Sequence, residues 1–149
     1  MSHSKNVDIL ARTLYGEARG EYLRRDGGIS ALISVANVII NRVKYQAWFG
    51  KTIEEVCLKP YQFSCWNEND PNRPVLQQVQ DGKDKVFDVC LEVASCVGTG
   101  VWPDITHGSD HYYAVWLPRA PQWAVGKTPT FKIGQHVFFK LHQPKGCSK

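Results

Sequence analysis

The sequence has no long apolar run, no run of like charge and no Cys-x-x-Cys pair. Each absence excludes something. The most apolar stretch, Ile29 to Ile40, is broken by Ser30, Ser34 and Asn37, so no segment meets the need of a membrane-spanning helix for about 20 mainly apolar residues. The 18 Lys and Arg residues are scattered and the formal charge is only +4. That balance favours an anionic polymer but lacks the basic face that nucleic-acid binding requires. The five cysteines, Cys57, Cys65, Cys90, Cys96 and Cys147, are odd in number, which does not suit a closed disulfide framework, and their spacing does not suit zinc. Buried or free thiols are expected instead. Met1 to Asn6 lack the apolar core of a signal peptide. The chain is therefore expected to be made in the cytoplasm and, if it acts outside, to leave by another route.

What is present reads as one globular domain over residues 1–149, with 43% hydrophobic and 21% charged residues. Val7, Leu10, Ala11 and Leu14 recur at helical spacing, with Ser4 or Asn6 as the cap and Gly16 and Gly20 as the end. Arg25 to Val43 carries a broad apolar face through Ile29, Leu32, Ile33, Ala36, Ile39 and Ile40, the pattern of a central buried helix. Thr52 and Glu55 form a capping box for a short helix that Pro60 ends. Tyr61 to Asn72 reads as a polar, aromatic loop. Pro74 opens a long helix towards Val97, with a potential break at Asp81-Gly82. Val101 to Thr130 reads as irregular, and such a long loop in a compact domain usually carries function. Thr130 to Phe139 reads as a β-hairpin turning at Gly134-Gln135. The expected fold class is α+β, mainly α, with a small C-terminal β-hairpin.

Three clusters carry candidate chemistry. Glu17 lies between Gly16 and Gly20 near the expected end of the first helix. The negative end of the helix dipole and partial burial both favour a protonated carboxyl there, as a general acid needs. The plainer alternative is an exposed glutamate paired with Arg19 or Arg24. Pro60 to Trp66 sets aromatic rings, which stack on sugar faces, beside the Gln62 amide, which can donate and accept. The same rings could instead fold onto the core. His107 to Tyr113, followed by Trp116, Pro121 and Trp123, supplies a polar and aromatic wall. Its two histidines are four residues apart, which also admits metal ligation, though Gly108 opposes a helix that would align them.

Taken together, three blocks resemble the cell-wall hydrolase family of the spore-cortex-lytic enzymes, which also supplies catalytic domains of phage lysins. They are Ala11 to Glu21 with Ser34 to Val43; Thr52-Ile53 through Gln62-Phe63-Ser64 to Trp66; and Gly108 to Tyr113 with Pro121 to Ala124 and Ile133 to Phe138. They run in the family's order and cover nearly the whole chain. The resemblance implies a lysozyme-like, lytic-transglycosylase-like fold with Glu17 as the catalytic residue. It implies substrate-binding roles for Gln62, Phe63, Ser64, Trp66, Asp110, His111, Tyr112 and Tyr113. It also makes Glu21 structural, held by Arg19 or a backbone group, and makes Asn37, Asn41 and Arg42 supports rather than sugar contacts. Three departures stand out. Asp110 replaces a usual Thr, Tyr113 replaces a common His, and Leu23-Arg24-Arg25-Asp26 adds a charged stretch before Gly27-Gly28.

The implied activity is cleavage of peptidoglycan between N-acetylmuramic acid and N-acetylglucosamine, by a lytic transglycosylase in preference to a muramidase. A muramidase usually needs a second carboxylate, for which Asp110 and Asp26 are the candidates. No metal or cofactor is expected. The expected partner is peptidoglycan, with no nucleic acid and no stable membrane insertion, and the chain is expected to act as a monomer. A phage-type lysin released through a membrane lesion fits the lack of a signal. Two alternatives come from other classes: a zinc amidase using His107, His111 and a distant ligand such as His136, and a non-catalytic glycan-binding module using Trp66, Trp116 and Trp123.

Overall fold

Ser4 opens the first helix, its hydroxyl accepting from Val7 N–H at 3.2 Å. The computed structural model describes residues 4–46 and 48–142, and Cys147 lies outside them. Helix α1 spans Lys5–Tyr22 and runs unbroken through Gly16 and Gly20, past the end that the glycines suggested. Its apolar face continues through Leu14, Tyr15 and Ala18, all buried, and this packing outweighs the roughly 1 kcal/mol that each glycine costs a helix. Gly16 is small because other elements cross it. A Cβ there would lie 2.7 Å from both Cys65 Cβ and Leu76 Cδ2.

Helix α2, Ile29–Tyr45, starts later than the periodicity suggested, because Gly28 takes φ +66° and turns the chain before it. Helix α3, Ile53–Leu58, is capped by Thr52, whose hydroxyl accepts from Glu55 N–H at 3.1 Å, and Lys59-Pro60 ends it. The expected long helix is two, α4 over Asn72–Gln78 and α5 over Lys85–Gly98, so the break at Asp81-Gly82 is real. Each piece has its own terminus. Asp84 accepts from Val86 and Phe87 N–H to cap α5, and Arg12 of α1 donates to the carbonyls of Leu76 and Val79 at the end of α4.

Helices α1, α2 and α5 pack against one another around Leu10, Leu14, Leu32, Val35, Ile39, Leu91 and Val93. A three-stranded antiparallel sheet follows, in the order β1-β3-β2. Strands β2, Phe131–Ile133, and β3, His136–Phe139, form the expected hairpin, with Gly134 at φ +55° in its turn. Strand β1, His111–Ala114, lies inside the segment expected to be irregular and pairs His111 with Phe139 and Tyr112 with Phe138. Four residues at a sheet edge, paired to a strand beyond an irregular segment, leave little local pattern to detect. Phe138 packs into the helical core, whereas Val137, Phe139 and Ala124 form a second small cluster with Tyr113 and Trp123. No described helix is long and apolar enough to cross a membrane.

Gly16→Val should overpack the crossing of α1, Cys65 and Leu76 and lower unfolding stability by about 1–3 kcal/mol. Urea midpoints at a constant slope would show it. An unchanged midpoint would mean that Cys65 and Leu76 move aside freely.

Candidate active site

Glu17 sits inside α1 rather than at its end, one turn before Glu21. The dipole reasoning applied to its position therefore does not hold, and its surroundings come from elsewhere. The Tyr112 hydroxyl of β1 donates to Glu17 Oε1 at 2.8 Å, and Cys65 N–H donates to Oε2 at 3.3 Å. Neither Arg19 nor Arg24 takes it as a partner. Arg19 donates to Asn72 Oδ1 and Tyr15 O, and Arg24 to Asp26. Burial, then the charge of Glu17, pushes the Tyr112 hydroxyl well above its ordinary range, so it stays a donor. The same two causes push the Cys65 thiol up, and burial alone accounts for most of the rise of Cys57 and Cys90 to about 12. These thiols are not poised as nucleophiles, in line with the free cysteines expected.

Period-two alternation in β1 sorts the third cluster. Tyr112 faces α1 and stacks on Phe138 at 5.4 Å between ring centroids. His111 and Tyr113 face the other way, towards Trp123, at 4.7 and 5.8 Å. Tyr113 also stacks on Phe139. Within the 59–66 segment, Gln62 Oε1 accepts from Arg42 at 2.7 Å, and Trp66 Nε1 donates to Thr13 Oγ1 at 2.9 Å, one helical turn before Glu17. Ser64 is exposed, but Phe63 is buried at 3% exposure, with the Arg42 guanidinium over its ring. Phe63 is thus a core residue and offers no face to a ligand. Two grooves meet at Pro60-Tyr61. One, of 320 Å³, is walled by Trp66, Asn67 and Arg73; the other, of 410 Å³, by Gln62, His111, Trp123 and Trp48. A larger hollow of 710 Å³ beside α3 contains none of the expected site residues.

Asp110 departs most from expectation. It is wholly buried, and its two oxygens accept from Leu141 and His142 N–H while facing His111 Nδ1 and His142 Nδ1, each at 3.0 Å. It presents no free carboxylate to a substrate. Asp26, the other candidate, is ion-paired with Arg24 at 2.9 Å beside the hairpin turn. Glu21 accepts from Gln135 N–H at 2.8 Å and pins that turn to α1, the structural role expected of it.

Among the described residues Asp110, His111 and His142 are the one group of metal-ligand type, with ligand atoms within 4.8 Å of one another. All three are already joined as hydrogen-bonded pairs. The zinc set of His107, His111 and His136 is not assembled. His107 is exposed and packs edge-on to Phe131, while His136 is buried against Tyr112. Sequence reasoning missed His142 and Cys65 N–H. Neither had a signal, since one lies beyond the last strand and the other is a backbone group.

Burial alone would raise the Asp110 carboxyl, but hydrogen bonds from His111 and Leu141 N–H overcome it and leave it lowered. Asp104, held by Asn41 and Thr106, is lowered in the same way. A carboxyl lower in the folded than in the unfolded chain stabilises above its unfolded pKa, and that stability is lost as pH falls through the folded value. Stability should therefore drop on acidification below about pH 4. Asp110→Asn should be less stable at neutral pH yet lose less on acidification. Thermal midpoints between pH 7 and pH 2 test this, and an equal acid loss in the variant would remove Asp110 from the explanation.

A profile of the family described as Cell Wall Hydrolase matches residues 28–139. Its span begins at Gly28 and so leaves out α1 and Glu17. Two solved structures are similar over most of the chain. The catalytic domain of the SleB protein from Bacillus cereus is 26% identical, with a TM-score of 0.64 and 93% of each chain covered. The catalytic domain of the germination-specific lytic transglycosylase SleB from Bacillus anthracis is 25% identical, with a TM-score of 0.60, covering 93% of this chain and 98% of its own. No curated protein matches significantly. With three-quarters of its length matched and the catalytic-domain fold shared, the chain belongs to the cell wall hydrolase family.

Proposed function

We propose that the chain cleaves the glycan strands of peptidoglycan between N-acetylmuramic acid and N-acetylglucosamine, as a lytic transglycosylase with Glu17 as acid and then base. Family membership supports the substrate, and the SleB of Bacillus anthracis is itself named a lytic transglycosylase. The observation that carries the reading is an oriented carboxylate on helix α1, while neither residue expected to complete a hydrolytic pair is free. Glu17 is held from two sides by Tyr112 and Cys65 N–H, while Asp110 is locked away and Asp26 is paired.

The protonated Glu17 gives its proton to the glycosidic oxygen as the bond from that oxygen to C1 of the muramyl sugar breaks. The resulting carboxylate takes the proton of the same sugar's C6 hydroxyl, whose oxygen closes on C1. The product is a 1,6-anhydro ring, and Glu17 is protonated again. No water and no second carboxylate take part, unlike a retaining or inverting hydrolase. Tyr112 positions Glu17 through its hydroxyl. Trp66 and Ser64 on one side, and His111, Gln62 and Tyr113 on the other, form the substrate walls, with ring faces suited to sugars. Phe63 and Asp110 support these walls from behind.

Purified peptidoglycan digested by wild type should yield anhydro-muropeptides that borohydride leaves unchanged in mass. Glu17→Gln should lose at least about a hundredfold in rate, the usual worth of a general acid. Reducible muropeptide ends would assign a muramidase instead, and full activity in the variant would remove Glu17 from the chemistry. Tyr112→Phe keeps the ring stack and deletes one hydrogen bond, so kcat should fall about tenfold with KM little changed. Steady-state kinetics on soluble muropeptide chains would read that split.

A further inference from the structure

The 410 Å³ groove has an unusual charge pattern. Arg42, Lys59 and His111 line it, and no Asp or Glu does. Arg42 is only 7% exposed. Its Nε donates to the Asp110 carbonyl and its Nη1 to Gln62 Oε1, both neutral acceptors. Among the described residues no carboxylate forms an ion pair with it. The charges of Asp110 and Glu17 act on it only through space, so the guanidinium remains open to a directly bonded anion from the groove. Lys59 adds a second cation at the rim, with its ammonium 5.7 Å from the Trp48 ring centre. His111 is held through Nδ1 by buried Asp110, which leaves its other nitrogen for the groove.

The remaining walls are aromatic. Tyr61 is 87% exposed and Trp48 is 56% exposed, and Trp123 lines the groove with them. Tyr61 sits at φ +66°, a strained value for a residue with a side chain. Strain at an exposed aromatic fits a contact surface better than a packing role.

We infer that this groove binds a free carboxylate carried on the stem peptides of peptidoglycan, received by Arg42 and Lys59, with the adjoining apolar part of the ligand against Tyr61 and Trp48. The inference rests on the proposed substrate and adds a peptide subsite to it. A wall phosphodiester offers similar oxyanion chemistry, so the experiment separates the two sources.

Co-sedimentation of the full chain with purified sacculi in the cold measures binding apart from cleavage. Four samples decide: untreated sacculi, sacculi with carboxylates amidated by carbodiimide and ammonia, sacculi stripped of phosphodiesters with hydrofluoric acid, and untreated sacculi with variant proteins. Amidation should weaken wild-type binding about fivefold, the scale of one partly exposed ion pair, and stripping should not. Lys59→Gln should bind untreated sacculi more weakly and respond less to amidation. Lys83→Gln, which removes the same charge from the α4–α5 connection, should behave as wild type. Equal binding to amidated and untreated sacculi overturns the inference. So does a loss confined to stripped sacculi, or an equal loss in Lys83→Gln, which would mark general attraction of the basic chain. Lack of glycan cleavage in the digests would count against the proposed function alone, since the binding comparison does not depend on turnover.

Discussion

The site depends on a polar stripe along a helix that is otherwise core. Helix α2 carries Asn37, Asn41 and Arg42, all nearly buried, on the same element as Leu32, Val35 and Ile39. Buried amides and guanidinium groups must find partners or lose several kcal/mol. Here the partners are backbone and side-chain groups of irregular segments. Asn37 accepts from Ile105 N–H, Asn41 donates to Asp104 and to the Ser109 carbonyl, and Arg42 holds the Asp110 carbonyl and Gln62. One helix thus positions both segments that flank Glu17, the approach to β1 and the 59–66 loop. Loops anchored in this way can be irregular and still hold side chains closely.

A second consequence concerns the division of labour within three successive residues. Asp110 points into the protein and fixes His111 and His142, His111 turns to the groove, and Tyr112 reaches Glu17. Asp110 replaces the threonine usual in the resembled family, and in this chain it acts as a clamp joining β1 to residues 141 and 142. In this chain Asp110 therefore adds a structural tie between β1 and the segment after β3. Burial, rather than distance in sequence, keeps the Asp110 carboxylate from the surface.

Much of the helical framework was legible in the sequence, because amphipathic spacing, caps and the Asp81-Gly82 break are local signals of burial and hydrogen bonding. The hairpin at Gly134-Gln135 was legible for the same reason. The errors occurred where contacts between distant segments overrode local preference. Gly16 looked like a terminus but is a crossing point for Cys65 and Leu76. Strand β1 looked like loop, because its ladder is supplied by β3, from which an irregular segment and β2 separate it.

The same boundary runs through the site. The sequence by itself determined which residue types were available: a glutamate on an apolar helix, an aromatic segment after Pro60, and a histidine-tyrosine run before Trp123. Only the tertiary structure decided their roles, because hydrogen bonding and desolvation depend on what approaches from elsewhere in the chain. It placed Tyr112 and Cys65 N–H on Glu17 and buried Phe63 and Asp110. It also left Arg42 charged and without a carboxylate partner among the described residues, at the wall of a groove.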